Sequence, residues 1–245
     1  MATIQPVEIQ VDGNPVPAYL SVPQGGENHP GIIVLCEIFG VNQNIRNVCT
    51  RLADRGYAAI AVNPFHREAK PVTPYDQDPL GLEKRSRLKD ENLVAEMRGA
   101  VEHLKSLEEV NAEKIGSLGF CLGGRLSYLA ACTISELSAC VVFYGGGIVN
   151  DAPTENMPVP PVEMTANIQC PVLGHYAESD HTAPPEHVKR IRKALQDNGK
   201  EFEIIVYENT VHGFANDGKP DTHEPNAAKL AWERSLEFLA EHLKG

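Results

Sequence analysis

Three residue types in a particular chain order could perform nucleophilic chemistry: Cys121, Asp180 and His212. Cys121 lies in Lys114-Ile115-Gly116-Ser117-Leu118-Gly119-Phe120-Cys121-Leu122-Gly123-Gly124-Arg125, a short apolar run, a turn flanked by glycines, and a helical pattern through Leu126, Leu129 and Ala130. This is the layout of a nucleophile elbow, Gly-x-Nuc-x-Gly, with cysteine at its apex. The turn is tight enough to strain the apical residue, and Gly119 and Gly123 leave space that side chains would fill. The apex also lies at a helix N-terminus, where orphan amides and the macrodipole favour a thiolate. A free cysteine is ordinarily a small buried hydrophobe, so the glycine setting carries the functional reading. The spacing is not Gly-x-Gly-x-x-Gly, and no Gly-Lys-Ser/Thr marks a phosphate loop, which argues against nucleotide binding.

Asp180 and His212 each follow a strand-like run, Pro171 to Ala177 and Phe202 to Tyr207. Nucleophile, acid, histidine is a known triad order. His212 would take the thiol proton, and Asp180 would hold the imidazole in the right tautomer. Glu178 competes for the acid role, but Asp180 lies farther past the strand. His175 and His181 lie near Asp180 without ligand spacing such as His-Glu-x-x-His, so no metal is expected.

The elements that must position these residues read as strands alternating with helices. A hairpin over Val7 to Val11 and Ala18 to Val22 turns at Asp12-Gly13-Asn14-Pro15 and caps a sheet edge. Gly31 to Cys36 is a continuous apolar run, as expected of a strand buried on both faces. A helix from Asn44 to Arg55 stops at Gly56, and Tyr57 to Val62 returns as a strand. Residues 63–81 form a proline-rich loop of lid or pocket-wall length. A long amphipathic helix spans Leu82 to Leu107 and leads to the elbow strand. Leu137 to Tyr144 is another core strand, and residues 145–168 form a second long loop. A helix from Pro184 ends at Asn198-Gly199, and a final helix opens at Pro225. The pattern predicts a mostly parallel central sheet flanked by helices on both faces, with its ligand site at the strands' carboxyl ends.

The 245 residues contain no Pro/Gly/Ser linker and no internal repeat, so residues 1–245 read as one domain. A net charge of -11 repels phosphate backbones and anionic lipid, which argues against nucleic-acid and membrane partners. The N-terminus lacks a basic and apolar leader pattern, and no apolar run is of spanning length, so a cytoplasmic location is expected. The six cysteines form no Cys-x-x-Cys pair and read as reduced thiols.

Glu37-Ile38-Phe39-Gly40-Val41-Asn42, Gly119-Phe120-Cys121-Leu122-Gly123-Gly124, Asp180-His181 with a proline shortly after, and His212-Gly213-Phe214 together resemble the dienelactone hydrolase (carboxymethylenebutenolidase) family, across nearly the whole chain. The resemblance implies a single α/β-hydrolase domain without a cofactor, opening enol-lactones with Cys121, Asp180 and His212. It gives Glu37 a role as the carboxylate that contacts the resting thiol and moves when substrate binds. It places the oxyanion hole at the amides of Ile38 and Leu122. Relatives acting on dienelactone carry an arginine shortly after the triad histidine to hold the substrate carboxylate. Here Asn216 stands in that region, and Arg85 and Arg87 are the other candidate substrate contacts. On Asn216 and the acidic field, neutral activated esters or lactones should be turned over at least as well as carboxylate-bearing ones.

The expected partner is a small lactone or ester, processed by a monomer or weak homodimer through a thioester. A thiolate leaves more readily than an alkoxide, which favours enol-lactones and activated esters over amides. The competing reading is a non-catalytic binder or redox sensor using Cys121 as an oxidisable thiol. An intact Asp180 and His212 favour the enzyme, since sensing needs neither.

Overall fold

The computed structural model describes Ala2 and residues 4–245. Among these residues eight strands form one sheet: β1 (Ile4–Val11), β2 (Asn14–Ser21), β3 (His29–Leu35), β4 (Ala58–Val62), β5 (Val110–Phe120), β6 (Leu137–Phe143), β7 (Val172–Ser179) and β8 (Phe202–Val211). Their spatial order is β1-β2-β4-β3-β5-β6-β7-β8. The hairpin β1–β2 is antiparallel and joins β4 antiparallel, while the six strands from β4 to β8 run parallel. The hairpin turns on Asp12 and Gly13, both at positive φ, the geometry that matches strand twist.

Among the described residues, five α-helices lie between strands, α1 (Gln43–Ala53), α2 (Asp78–Ser86), α3 (Asp90–Lys105), α4 (Leu122–Thr133) and α5 (Pro185–Asp197), and α6 (Pro225–Lys244) follows the last strand. Side-chain alternation along β3 explains why its run is continuously apolar. Ile33 and Leu35 enter the core shared with α3, α4 and α5, while Ile32 and Val34 enter the core shared with α1 and α6. Each face of a parallel sheet is covered, so both sets of alternate residues must be apolar. The result is an α/β-hydrolase architecture with two cores separated by the sheet.

Local chemistry sets the helix ends. Asn42 accepts the Ile45 amide to cap α1, and Gly56, at φ 84°, closes it. The expected single helix over Leu82 to Leu107 is instead two, α2 and α3, and α2 begins four residues earlier, inside the expected loop. Pro79 can start α2 because a first-turn residue needs no amide donor. The break has a tertiary cause. Lys89 is extended, the Asp90 amide donates to Asn156 O at 2.9 Å, and the Asp90 carboxylate takes a bidentate grip from Arg125 at 2.7 Å. These bonds replace those of a continuous helix. The second long loop also contains a 3₁₀ segment, Pro161–Asn167.

Arg125 belongs to α4, the helix that the elbow starts, and is 2% exposed. Its pair with Asp90 therefore anchors the elbow helix to α3. Arg125→Met should cost about 3–5 kcal/mol, because it leaves a largely buried carboxylate without its cation. Urea unfolding of the variant measures this, and an unchanged midpoint would refute the anchoring role.

Candidate active site

The elbow forms where β5 meets α4. Cys121 has φ 55° and ψ -113°, a conformation L-residues rarely adopt. Its amide donates to Phe143 O at 3.0 Å, and its carbonyl accepts from the Arg125 amide at 3.2 Å, so the surrounding structure holds the strain in place. The two elbow glycines are required by contact. A Cβ on Gly119 would lie 1.9 Å from Gly123 O, and one on Gly123 would lie 2.0 Å from Leu35 O. Backbone of β3, β5 and α4 thus meets at a spacing that no side chain permits.

The carboxyl ends of three other strands bring their residues to the same mouth. β8 extends four residues beyond its expected end, through an irregular pairing in which Ser179 meets Val211. That extension sets His212 beside Asp180. His212 Nδ1 lies 2.8 Å from Asp180 Oδ2, while Asp180 Oδ1 accepts the amides of Thr182 and Ala183 at 2.7 and 2.9 Å. Asp180 rather than Glu178 meets the histidine; Glu178 instead accepts the Asn209 amide at the bulge, at 2.9 Å. Burial works against ionisation of Asp180, but the His212 hydrogen bond and the two amides outweigh it and hold the carboxyl below its ordinary value.

His212 Nε2 is buried and meets no hydrogen-bond partner of good geometry among the described residues, and Cys121 is the group that acts on it, through its charge and a looser contact. Burial lowers the pKa of this imidazole, yet the nearby negative charge of Cys121 and the Asp180 contact together raise it to about 10. The ring therefore favours its cationic form at neutral pH. Tyr144, at φ 38°, packs edge-on against the ring with centroids 5.1 Å apart.

Cys121, His212, Glu37, Ile38, Leu122 and Arg85 line one cleft of about 220 Å³. The amides of Ile38 and Leu122 donate to no backbone carbonyl among the described residues, which leaves two donors at the cleft wall beside the thiol. A wider hollow of about 540 Å³ adjoins the cleft and shares Leu82, Arg85 and Thr182 with it.

Glu37, 6% exposed, makes its hydrogen bonds to Asn216 and Tyr144 and none to Cys121. Asn216 Oδ1 accepts the Gly218 amide at 2.9 Å, so its Nδ2 is the end that reaches Glu37 Oε2 at 2.6 Å. Tyr75 OH lies 3.3 Å from the same amide. The candidate substrate contact Asn216 is thus a buried partner of Glu37, outside the cleft wall. Arg87 also lies elsewhere: it is exposed, ion-paired with Glu68 and Glu83, and absent from the cleft wall. Sequence reasoning missed Tyr144, Tyr75 and Lys219. Only Lys219, a cation seven residues after the triad histidine, had a signal in the sequence.

Burial raises the Glu37 pKa to about 7, against the opposing pull of His212, Lys219, Asn216 and Tyr144. The folded value exceeds the ordinary 4.5, so between pH 4.5 and 7 the folded chain keeps a proton that the unfolded chain releases. Raising pH through that window removes stability, on the order of 3 kcal/mol in total. Glu37→Gln should therefore be more stable than wild type at pH 8, with the difference shrinking toward pH 4.5. Thermal unfolding at both pH values is the measurement. A pH-independent difference would contradict the buried-carboxyl account.

Among the described residues, no helix is long and apolar enough to cross a membrane, and no group of three or more His, Cys, Asp or Glu could hold a metal ion.

The family model described as the dienelactone hydrolase family matches residues 16–243. A candidate carboxymethylenebutenolidase of Salmonella typhi is 35% identical over 238 residues, covering 96% of this chain and 86% of that protein. The crystal structure of a candidate dienelactone hydrolase from Klebsiella pneumoniae superposes with a TM-score of 0.91 at 31% identity, covering 98% of this chain and 99% of the other. A dienelactone hydrolase-like promiscuous phosphotriesterase from metagenomic libraries shares the fold, with a TM-score of 0.82 at 20% identity and 98% of each chain covered. Matched along nearly its whole length in both sequence and fold, the chain belongs to the dienelactone hydrolase family of the α/β-hydrolase superfamily and is a lactone or ester hydrolase.

Proposed function

We propose that the chain hydrolyses small lactones or activated esters with a Cys121–His212–Asp180 triad, through a thioester on Cys121. The observation that carries this reading is the pairing of a strained cysteine with an Asp180-held imidazole in one cleft, the imidazole's other nitrogen being buried and under the influence of Cys121. With the thiol proton held on the His212 ring, sulfur attacks the carbonyl carbon. The oxyanion is stabilised by the Ile38 and Leu122 amides. As the carbon–oxygen bond breaks, His212 returns the proton to the leaving oxygen. Water, deprotonated by His212, then attacks the thioester, and the thiol is released. Glu37, held by Asn216 and Tyr144, assists by its charge opposite His212, where it stabilises the imidazolium that carries the transferred proton. Arg85 lines the same cleft and supplies positive charge for a substrate carboxylate.

The size of the cleft suits a compact substrate, since pockets for drug-sized ligands are larger, about 300–1,000 Å³. The test is incubation of purified protein with p-nitrophenyl acetate, where a burst followed by turnover supports the enzyme. Peroxide-dependent modification of Cys121 without turnover would support the redox-sensing alternative instead.

A further inference from the structure

Besides His212, two cationic side chains line the cleft although the chain as a whole carries a net charge of -11. Arg85, from α2, makes no hydrogen bond or ion pair with any described residue, and Cys121 is among the groups whose charge acts on it. Lys219, from the turn after His212, sits with its ammonium 4.8 Å from the Phe39 ring centroid and 3.3 Å from Asp78 Oδ1. Phe39 and Asp78 both line the cleft as well.

The Lys219 stem is fixed while its head is loosely held. Its amide donates to Asn216 O at 3.1 Å, and the Gly218 amide to Asn216 Oδ1 at 2.9 Å, so the turn is pinned from both sides. The Asp78 carboxylate is 55% exposed, so its pair with Lys219 is weakened by water and salt. A carboxylate inside the cleft would meet the same ammonium with less water around it, and charge attraction strengthens as water is excluded. Asn216 offers no rival contact, being committed to Glu37.

We infer that Lys219 is a specificity-determining residue that exchanges Asp78 for a carboxylate of the bound substrate, making Asp78 an internal competitor of anionic lactones and esters. The inference deepens the hydrolase reading of this cleft and rests on it. It reverses the expectation, drawn from Asn216 and the acidic field, that neutral substrates are handled at least as well.

The test is the ratio of kcat/KM for a lactone bearing a free carboxylate to that for its methyl ester. Lys219→Gln should lower the ratio about tenfold, the low end for a charge-assisted hydrogen bond with a partly exposed partner. Asp78→Asn, which frees the ammonium, should raise the ratio, and Lys219→Arg should keep it within about threefold of wild type by conserving the charge. A merely structural Lys219 would not move the two substrates apart, nor give opposite signs at positions 219 and 78. A ratio unmoved by Lys219→Gln, or not raised by Asp78→Asn, overturns the inference while Cys121-dependent turnover persists. Absence of that turnover in wild type would overturn the underlying hydrolase reading instead.

Discussion

Cys121→Ala is expected to reduce hydrolysis of p-nitrophenyl acetate by at least about 10³-fold, because it removes the elbow thiol on which the covalent intermediate forms. Iodoacetamide should produce the same loss by labelling a single residue. Only Cys121 among the six cysteines is partly exposed. Burial pushes the thiols of Cys36, Cys49, Cys132, Cys140 and Cys170 up, so they remain protonated and unreactive at neutral pH. Peptide mapping of the alkylated protein identifies the site. Retention of full activity in Cys121→Ala would remove the cysteine mechanism altogether.

The second large effect is expected at the histidine and its carboxylate. His212→Ala removes the proton acceptor and should lower the rate on the order of 10²-fold or more. Asp180→Asn tests orientation separately. The Thr182 and Ala183 amides both donate to Asp180 Oδ1, so the amide oxygen of an asparagine would stay with them and its NH2 would turn toward His212 Nδ1. The ring would then carry its proton on Nε2, the nitrogen needed as the base, and kcat should fall while KM changes little. Near-wild-type rates in His212→Ala would place the base elsewhere. A rise in KM without a fall in kcat for Asp180→Asn would contradict the tautomer argument.

The strand frame was legible in the sequence for a physical reason. A strand covered on both faces must be apolar at every position, and Gly31 to Cys36 could satisfy little else. The elbow was legible because Gly119 and Gly123 sit where backbone approaches within a side chain's radius, a constraint that sequence records directly. What sequence did not reveal depends on partners distant along the chain. The helix break at residues 87–89 comes from Arg125 and Asn156 capturing Asp90, while the local pattern through Leu82 to Leu107 is compatible with one helix. Asn216 could be counted as a missing arginine, but its attachment to Glu37, 179 positions away, requires the fold. For the same reason Arg85 and Arg87, two residues apart, could not be separated until the helix orientation turned one toward the cleft and the other toward Glu68 and Glu83.

The two cores divided by the sheet also give the molecule a built-in reporter of its own opening. Cys36 and Cys49 lie in the core beneath α1 and α6, whereas Cys132, Cys140 and Cys170 lie in the core beneath α3, α4 and α5. With Cys121 blocked beforehand, each remaining thiol becomes reactive only when the layer above it lifts. Pulsed alkylation in mild denaturant, followed by mapping of the tagged peptides, therefore times the exposure of the two halves independently. Simultaneous tagging of all five would mark a single cooperative unit, and early tagging of one set would identify the helical layer that detaches first.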